Sequence, residues 1–191
     1  MCGPHASWLT VPNLISGLRF VIAPALLYCG WTARPTAFLV LLGVSFCSDC
    51  LDGYAARKLG QTSELGARLD TLGDLITFST VPLCGWWLWP DRVRPETPFL
   101  AALGLSYVSP MMVGFLKYGR LTNYHTWGGK LSATLLAVAA LALVAGGSTR
   151  AFQLAVAVVV LADLEEIAIT AILPHWQPTV PSLWHAIRNR T

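Results

Sequence analysis

Apolar residues run along this chain in long stretches, not in the strict alternation of a half-buried strand. Six of these stretches approach or exceed what a helix needs to cross a bilayer: about Ser16–Trp31, Thr36–Leu59, Glu64–Trp89, Pro98–Tyr118, Gly129–Gly146 and Ala151–Leu173. The first is short and needs a tilt or a local thinning of the bilayer. Aspartates interrupt the second and third. Ahead of the first, Trp8–Ser16 is expected to form a short helix lying in the interface, with Trp8, Leu9 and Leu14 as its apolar side. The pattern predicts an all-α integral membrane fold: a short N-terminal interfacial helix, then six transmembrane helices, in a single domain over residues 1–191.

Composition supports the lipid reading. The chain is 54% hydrophobic and only 12% charged, with a mean hydropathy of +0.56, which excludes an ordinary soluble domain. With the N-terminus inside, Arg19, Arg57, Lys58, Arg68, Lys117, Arg120, Lys130, Arg188 and Arg190 fall at cytosolic ends. Only Arg34, Arg92, Arg94 and Arg150 fall outside, so the positive-inside bias favours this orientation. Trp31, Trp86, Trp87, Trp89, Trp127 and Trp176 lie near span ends, as an aromatic belt requires. No basic n-region opens the chain, so no cleavable leader is expected. The expected location is the cell (inner) membrane, multi-pass, with the N-terminus and the site cytosolic. A net charge of +3, spread out, gives no reason to invoke nucleic acid.

The cysteines, Cys2, Cys29, Cys47, Cys50 and Cys84, fall mostly in spans. Cys47 and Cys50 form a C-x-x-C, but no second Cys/His pair at zinc spacing accompanies it, so they read as small apolar side chains.

Candidate chemistry lies in the aspartates. Asp49, Asp52, Gly53, Ala56, Arg57, Gly66, Asp70 and Asp74 form D-x2-D-G-x2-A-R-x8-G-x3-D-x3-D. On a helix, Asp49, Asp52, Gly53 and Ala56 share one face; on the next, Gly66, Asp70, Gly73 and Asp74 share another. The linker around Gly60–Ser63 is short, so the two helices are expected to be antiparallel neighbours with facing acidic stripes. Glycine and alanine beside the carboxylates allow close helix approach, or leave a slot for a flat base and a diphosphate. Packing alone does not require four carboxylates, and carboxylates in low dielectric need compensation. Hard oxygen donors in this number suit Mg²⁺ or Mn²⁺, two ions bridging phosphate oxygens, with Arg57 available to a phosphate or to a carboxylate.

At every fixed position and gap this motif resembles the signature of the CDP-alcohol phosphotransferases (CDP-alcohol phosphatidyltransferases). The likeness extends to Pro12-Asn13-Leu14 through Arg19. It implies a six-helix membrane enzyme, a homodimer, that transfers a substituted phosphate from a CDP-linked lipid donor to a small polar alcohol and releases CMP. Carried over, Asp49, Asp52 and Asp70 are metal ligands, and Asp74 is the general base with some metal contact. Gly53, Ala56, Arg57 and Gly66, with Asp70, form the nucleotide-binding set.

The acceptor is less legible. Arg120 and Lys130 flank the loop before the fifth span and are candidates to hold an acceptor phosphate, with Arg19 entering the first span from the same side. Lys117 reads as positive-inside topology and His125 as an interfacial loop residue. Asp163, Glu165 and Glu166 sit deep in the sixth span, either lining a polar cavity and pairing with a cation such as Lys130, or forming a structural ion pair. Leu75 follows the last aspartate where glycerophosphate-using relatives carry a basic residue, and Thr77-Phe78 with Pro82 is similar to serine users. Asp49 through Lys58 and Pro12-Asn13…Arg19 resemble glycerophosphate users. Glycerol 3-phosphate is the leading acceptor, with serine, inositol phosphate and phosphatidylglycerol as rivals. From other classes, a membrane prenyltransferase would release diphosphate, and a cation or proton transporter would need no nucleotide.

Overall fold

The computed structural model describes residues 11–59, 64–119, 124, 126–175, 177 and 180–188; the side chains of residues 11–16, 49, 50, 52–57, 59 and 64–71 lie outside that description. Among the described residues every regular element is helical. Packing divides the chain into two units, Met1–Pro90 and Asp91–Thr191.

The first unit holds α1 (Val11–Trp31), α2 (Pro35–Leu59) and α3 (Glu64–Leu88). Helix α1 is its hub and packs against both α2 and α3. Ile22, Leu26 and Cys29, spaced to share one face of α1, meet Phe38 and Leu42 of α2 and Cys84 of α3 in a buried cluster. The helices meet in close packing. Gly30 shows how close: a Cβ there would stand 2.8 Å from the Cys84 Sγ and 3.2 Å from the Trp87 ring. Cys29 and Cys84 are buried, as expected of small apolar side chains, whereas Cys47 is exposed on α2.

Helix α1 ends in a Schellman turn. The Arg34 amide donates to the Cys29 carbonyl at 2.9 Å and the Ala33 amide to the Gly30 carbonyl at 3.3 Å. The left-handed position falls on Ala33, at φ 52°. Pro35 then opens α2, where its missing N–H costs nothing.

The second unit begins with short α4 (Pro90–Val93) and a 3-10 turn (Arg94–Glu96), followed by α5 (Thr97–Tyr118), α6 (Trp127–Val144), α7 (Thr149–Ile172) and α8 (Leu183–Arg188). Here α7 is the hub, packing against α5, α6 and α8. Its buried side includes Phe152, Ala155, Val156, Val159, Ala162 and Ile169. Buried Glu96 ties the start of α5 to α7 by accepting from the Gln153 Nε2 at 3.1 Å. Helix α6 is capped at both ends. The Thr126 Oγ1 accepts from the Gly129 amide at 2.9 Å, and a second Schellman turn through Gly146 (φ 93°) closes the other end, where the Arg92 guanidinium donates to the Val144 carbonyl.

The outward faces are apolar. Exposed Leu105, Val108, Met112, Phe115 and Leu116 form a stripe on α5, Trp127, Leu131, Leu135, Val138 and Leu141 on α6, and Leu154, Val158 and Leu161 on α7. Stripes of this size have no stable place in water.

The six long helices fall within a few residues of the expected spans. Two segments, Pro90–Tyr118 and Trp127–Val144, are both long and apolar enough to cross a membrane; Gly17–Trp31 and Pro35–Ser48 are apolar but shorter. One expectation is corrected. From Val11 onward there is no separate interfacial helix, because the backbone is already continuous with α1. Pro12 sits in the first turn, whose amides have no intrahelical acceptor, so it does not break the helix. Trp8–Thr10 lie outside the described residues.

Candidate active site

The motif is split between two helices of the first unit. Asp49, Asp52, Gly53, Ala56 and Arg57 lie on the C-terminal part of α2; Gly66, Asp70 and Asp74 lie on the N-terminal part of α3. Unbroken helical backbone puts each set on one face, as the spacing requires. The side chains of Asp49, Asp52, Ala56, Arg57 and Asp70, and the surroundings of Gly53 and Gly66, fall outside the described residues, and the facing of the two stripes with them.

Asp74 is described, and it is engaged. The Arg19 Nη1 donates to the Asp74 Oδ1 at 2.7 Å. Arg19 is only 3% exposed, while the Asp74 side chain is 40% exposed. An arginine buried among helices needs an anion within reach, and among the described residues Asp74 supplies one. Gly73 completes the arrangement: it is buried, and a Cβ there would lie 3.2 Å from both the Cδ and the Nη1 of Arg19. The guanidinium thus lies on bare α3 backbone and reaches the carboxylate of the next residue.

Sequence reasoning placed Arg19 among the cations for an acceptor phosphate; the structure places it on Asp74. One signal pointed that way, a lone arginine well inside α1 that requires a nearby carboxylate.

Along α2, an open groove leads up to the motif. It is lined by Leu18 of α1 and by Val40, Gly43, Val44, Cys47, Ser48 and Leu51. Ser48 and Leu51 of this groove bracket Asp49 in sequence.

In the second unit, Arg120 and His125 lie outside the described residues. Lys130 is exposed on the first turns of α6. Lys117, expected to mark topology, does a specific job: its Nζ donates to the carbonyls of Thr170 at 2.8 Å and Ala171 at 2.9 Å. Beside it the Tyr118 hydroxyl lies within hydrogen-bond reach of the carbonyls of Thr170, at 3.0 Å, and Leu173, at 2.7 Å, between which its one proton is shared. Together they satisfy carbonyls that the end of α7 leaves without partners.

The three acids of α7 are used differently from one another. The Glu165 Oε1 accepts from the Leu183 amide at 2.8 Å, at the start of α8. Its Oε2 stands 3.0 Å from where a Gly128 Cβ would be, and the Glu166 Oε1 stands 3.7 Å from where a Gly129 Cβ would be. Both acids therefore lie at the N-terminus of α6, where negative charge is favoured. The expected pairing with Lys130 gives way, for Glu165, to a bond with backbone N–H. The Asp163 Oδ2 is buried with no hydrogen-bond partner among the described residues.

Among the described residues no three His, Cys, Asp or Glu side chains are grouped to hold a metal. Of the four expected ligands, however, only Asp74 falls within that description. By chemistry the donor set, four carboxylates on two helices, fits a hard divalent cation. Asp74 enters that set with one oxygen already bound to Arg19.

Comparison with known proteins fits this arrangement. The chain is 37% identical over 123 residues to the Mycobacterium tuberculosis protein named "Putative cardiolipin synthase", a match covering 56% of this chain and 57% of that protein. It is 39% identical over 84 residues to the "CDP-diacylglycerol--inositol 3-phosphatidyltransferase" of Candida albicans, covering 44% of this chain and 36% of that one. With the Aquifex aeolicus "CDP-diacylglycerol--glycerol-3-phosphate 3-phosphatidyltransferase" it shares 34% identity over 93 residues, covering 48% and 52%. The chain thus spans about half the length of the curated relatives it matches. No solved structure matches it significantly. The family described as CDP-alcohol phosphatidyltransferase matches residues 9–170, a stretch that runs through both units and contains Arg19, the whole aspartate motif and the acids of α7. By that match, which takes in most of its residues, the chain belongs to the CDP-alcohol phosphatidyltransferase family.

Proposed function

We propose that the chain is a membrane enzyme that transfers a phosphatidyl group from CDP-diacylglycerol to a polar alcohol and releases CMP, in phospholipid biosynthesis. The complete eight-position motif, lying within the family match and split between α2 and α3, carries this reading. Asp49, Asp52 and Asp70, with Asp74, would hold Mg²⁺ or Mn²⁺, two ions. When bound, these supply charge neutralisation of the donor's diphosphate. Gly53, Ala56 and Gly66 leave room for the nucleotide, and Arg57 offers a planar fork of donors to a phosphate. The groove beside Ser48 and Leu51 suits acyl chains whose head group lies at Asp49 and Asp52.

Asp74, part exposed, receives the proton of the acceptor hydroxyl as its oxygen attacks the lipid-side phosphorus. The phosphorus–oxygen bond to CMP breaks, and CMP carries away the electron pair. Glycerol 3-phosphate is the proposed acceptor, with Arg120 and Lys130 as the cations for its phosphate. The mycobacterial relative's name favours a second reading, in which the acceptor is itself a lipid, phosphatidylglycerol. In the cell the protein is proposed to be a homodimer of six-span chains in the inner membrane, each a single domain, with N-terminus and site on the cytosolic side.

The test uses the purified full chain in nanodiscs with CDP-diacylglycerol and Mg²⁺ or Mn²⁺. Glycerol 3-phosphate, phosphatidylglycerol, serine, inositol phosphate and inositol are supplied in turn, following CMP and identifying the lipid product by mass. One acceptor is expected to release CMP in step with product, and Asp74→Asn to bind donor but release almost none. No CMP with any acceptor, or near-normal turnover by Asp74→Asn, refutes the assignment. Diphosphate release from a prenyl substrate would point to the prenyltransferase class instead.

A further inference from the structure

We infer that Arg19 is a positioning residue for the reaction, holding the Asp74 carboxylate in the orientation a base needs, and that Gly73 exists to let it do so. The inference rests on the reading of Asp74 as the base, and it adds a residue from α1 that the aspartate motif does not contain. Three observations carry it. The Nη1 to Oδ1 contact, at 2.7 Å, joins residues fifty-five positions apart, so it is a tertiary arrangement and not a local helix pair. The two partners are placed unequally: Arg19 is 3% exposed, so its donor atoms are fixed by packing, whereas Asp74 is 40% exposed. Finally, the guanidinium lies over Gly73, where a Cβ would come within 3.2 Å of the Cδ and the Nη1.

An aspartate side chain turns about two bonds, and a free one near an open site samples several rotamers. A charge-assisted hydrogen bond from an immobile donor selects among them. A base works only with its oxygen in hydrogen-bond reach of the proton it takes. Displacement by an ångström costs on the order of a hundredfold in rate. The arginine therefore acts through Asp74, not on the substrate. Gly73-Asp74 reads as one device, the first residue giving the guanidinium a bed and the second its anion.

The experiment uses the full chain in nanodiscs, CDP-diacylglycerol as donor, and the acceptor that gives wild type the most CMP. Wild type is compared with Asp74→Asn, Arg19→Gln, Arg19→Lys, Gly73→Ala and the Arg19→Gln/Gly73→Ala double variant, each normalised to folded protein by helical circular dichroism and size exclusion. Arg19→Gln is expected to lower kcat about thirtyfold or more, while the donor KM stays within about threefold. Arg19→Lys, which restores a cation at the same place, is expected to recover a large part of that loss. Gly73→Ala is expected to lower kcat several-fold, and to add nothing in the double variant, because with the guanidinium gone the new Cβ displaces nothing.

Arg19→Gln turning over within about threefold of wild type while Asp74→Asn is inactive overturns the inference. So does a double variant whose losses multiply, or a loss confined to KM. If Arg19→Gln does not accumulate, Gly73→Ala decides the question: wild-type kcat in that variant overturns it. A wild type that releases no CMP, or an active Asp74→Asn, instead refutes the reading of Asp74 itself, so the two failures are distinguishable.

Discussion

Replacing Lys117 with methionine isolates the polar clasp at the C-terminal end of α7. The last carbonyls of a helix have no intrahelical donor, and here two side chains reach three carbonyls at the end of α7. Lys117 reaches Thr170 and Ala171, and Tyr118 reaches Thr170 and Leu173. A hydrogen bond of this kind is worth about 1 kcal/mol net, and a cation at a helix C-terminus adds about 0.3–1 kcal/mol. Lys117 is largely exposed, so solvent screens part of its share. Lys117→Met should therefore cost about 1 kcal/mol, and Tyr118→Phe about 1 kcal/mol, because its single hydroxyl proton makes one hydrogen bond shared between two carbonyls.

The informative quantity is their coupling. The Thr170 carbonyl accepts from both side chains, so either single variant leaves it a donor and the double variant leaves it neither. An orphaned buried carbonyl costs about 1–3 kcal/mol, so the double variant should lose about 1 kcal/mol more than the sum of the singles. Unfolding in mixed micelles, titrated with dodecyl sulfate and followed by helical circular dichroism, measures all four chains of the cycle. Additive losses would refute the shared-carbonyl argument. A Lys117→Met loss below about 0.3 kcal/mol would return Lys117 to a purely topological role.

Three further outcomes follow from the helix ends and contacts. Ala33→Gly should stabilise the first unit by about 1 kcal/mol in the same unfolding assay, because φ 52° is left-handed and glycine adopts it without penalty; no gain would mean the turn is set by other forces. Gly30→Ala should lose about 1 kcal/mol despite better helix propensity, because its Cβ meets the Cys84 Sγ at 2.8 Å and overpacking outweighs propensity; a stabilised variant would show that α1 and α3 separate easily. Glu165→Ala should speed amide exchange across Leu183–Arg188 about tenfold, with Glu165→Gln much closer to wild type because it keeps an acceptor for the Leu183 amide; unchanged exchange in the alanine variant would assign the docking of α8 to Ala186 and Leu183 alone.

The long helices were legible because their ends are punctuated. Pro35 opens α2, Gly119 closes α5 at φ 67°, and Gly146 closes α6, each where an apolar run stops. Short elements were not: α4 and α8 have too few residues for any periodicity to show. Within the site, spacing along one helix was readable, which is why the motif falls on single faces of α2 and α3. Partnerships between distant residues were not. Arg19 with Asp74, Lys117 with the end of α7, and Glu165 with Leu183 are all decided by which elements meet in space. Local pattern carries no record of that. The sequence reads Lys117 as a topology marker and Lys130 as a partner of the α7 acids, and neither expectation points to the backbone groups that Lys117 and Glu165 meet.

The two hubs occupy opposite positions in the order of synthesis. Helix α1 leaves the ribosome before α2 and α3, so these can settle on it as each emerges, and the first unit completes before the second. Helix α7 emerges after α5 and α6, both of which pack on it. Those two helices, with polar groups such as Glu96 at their ends, must wait for the partner that completes them. Premature termination is thus unequally tolerated along the gene. A chain stopped after α3 keeps its hub, whereas one stopped before Thr149 leaves α5 and α6 without the helix on which both pack.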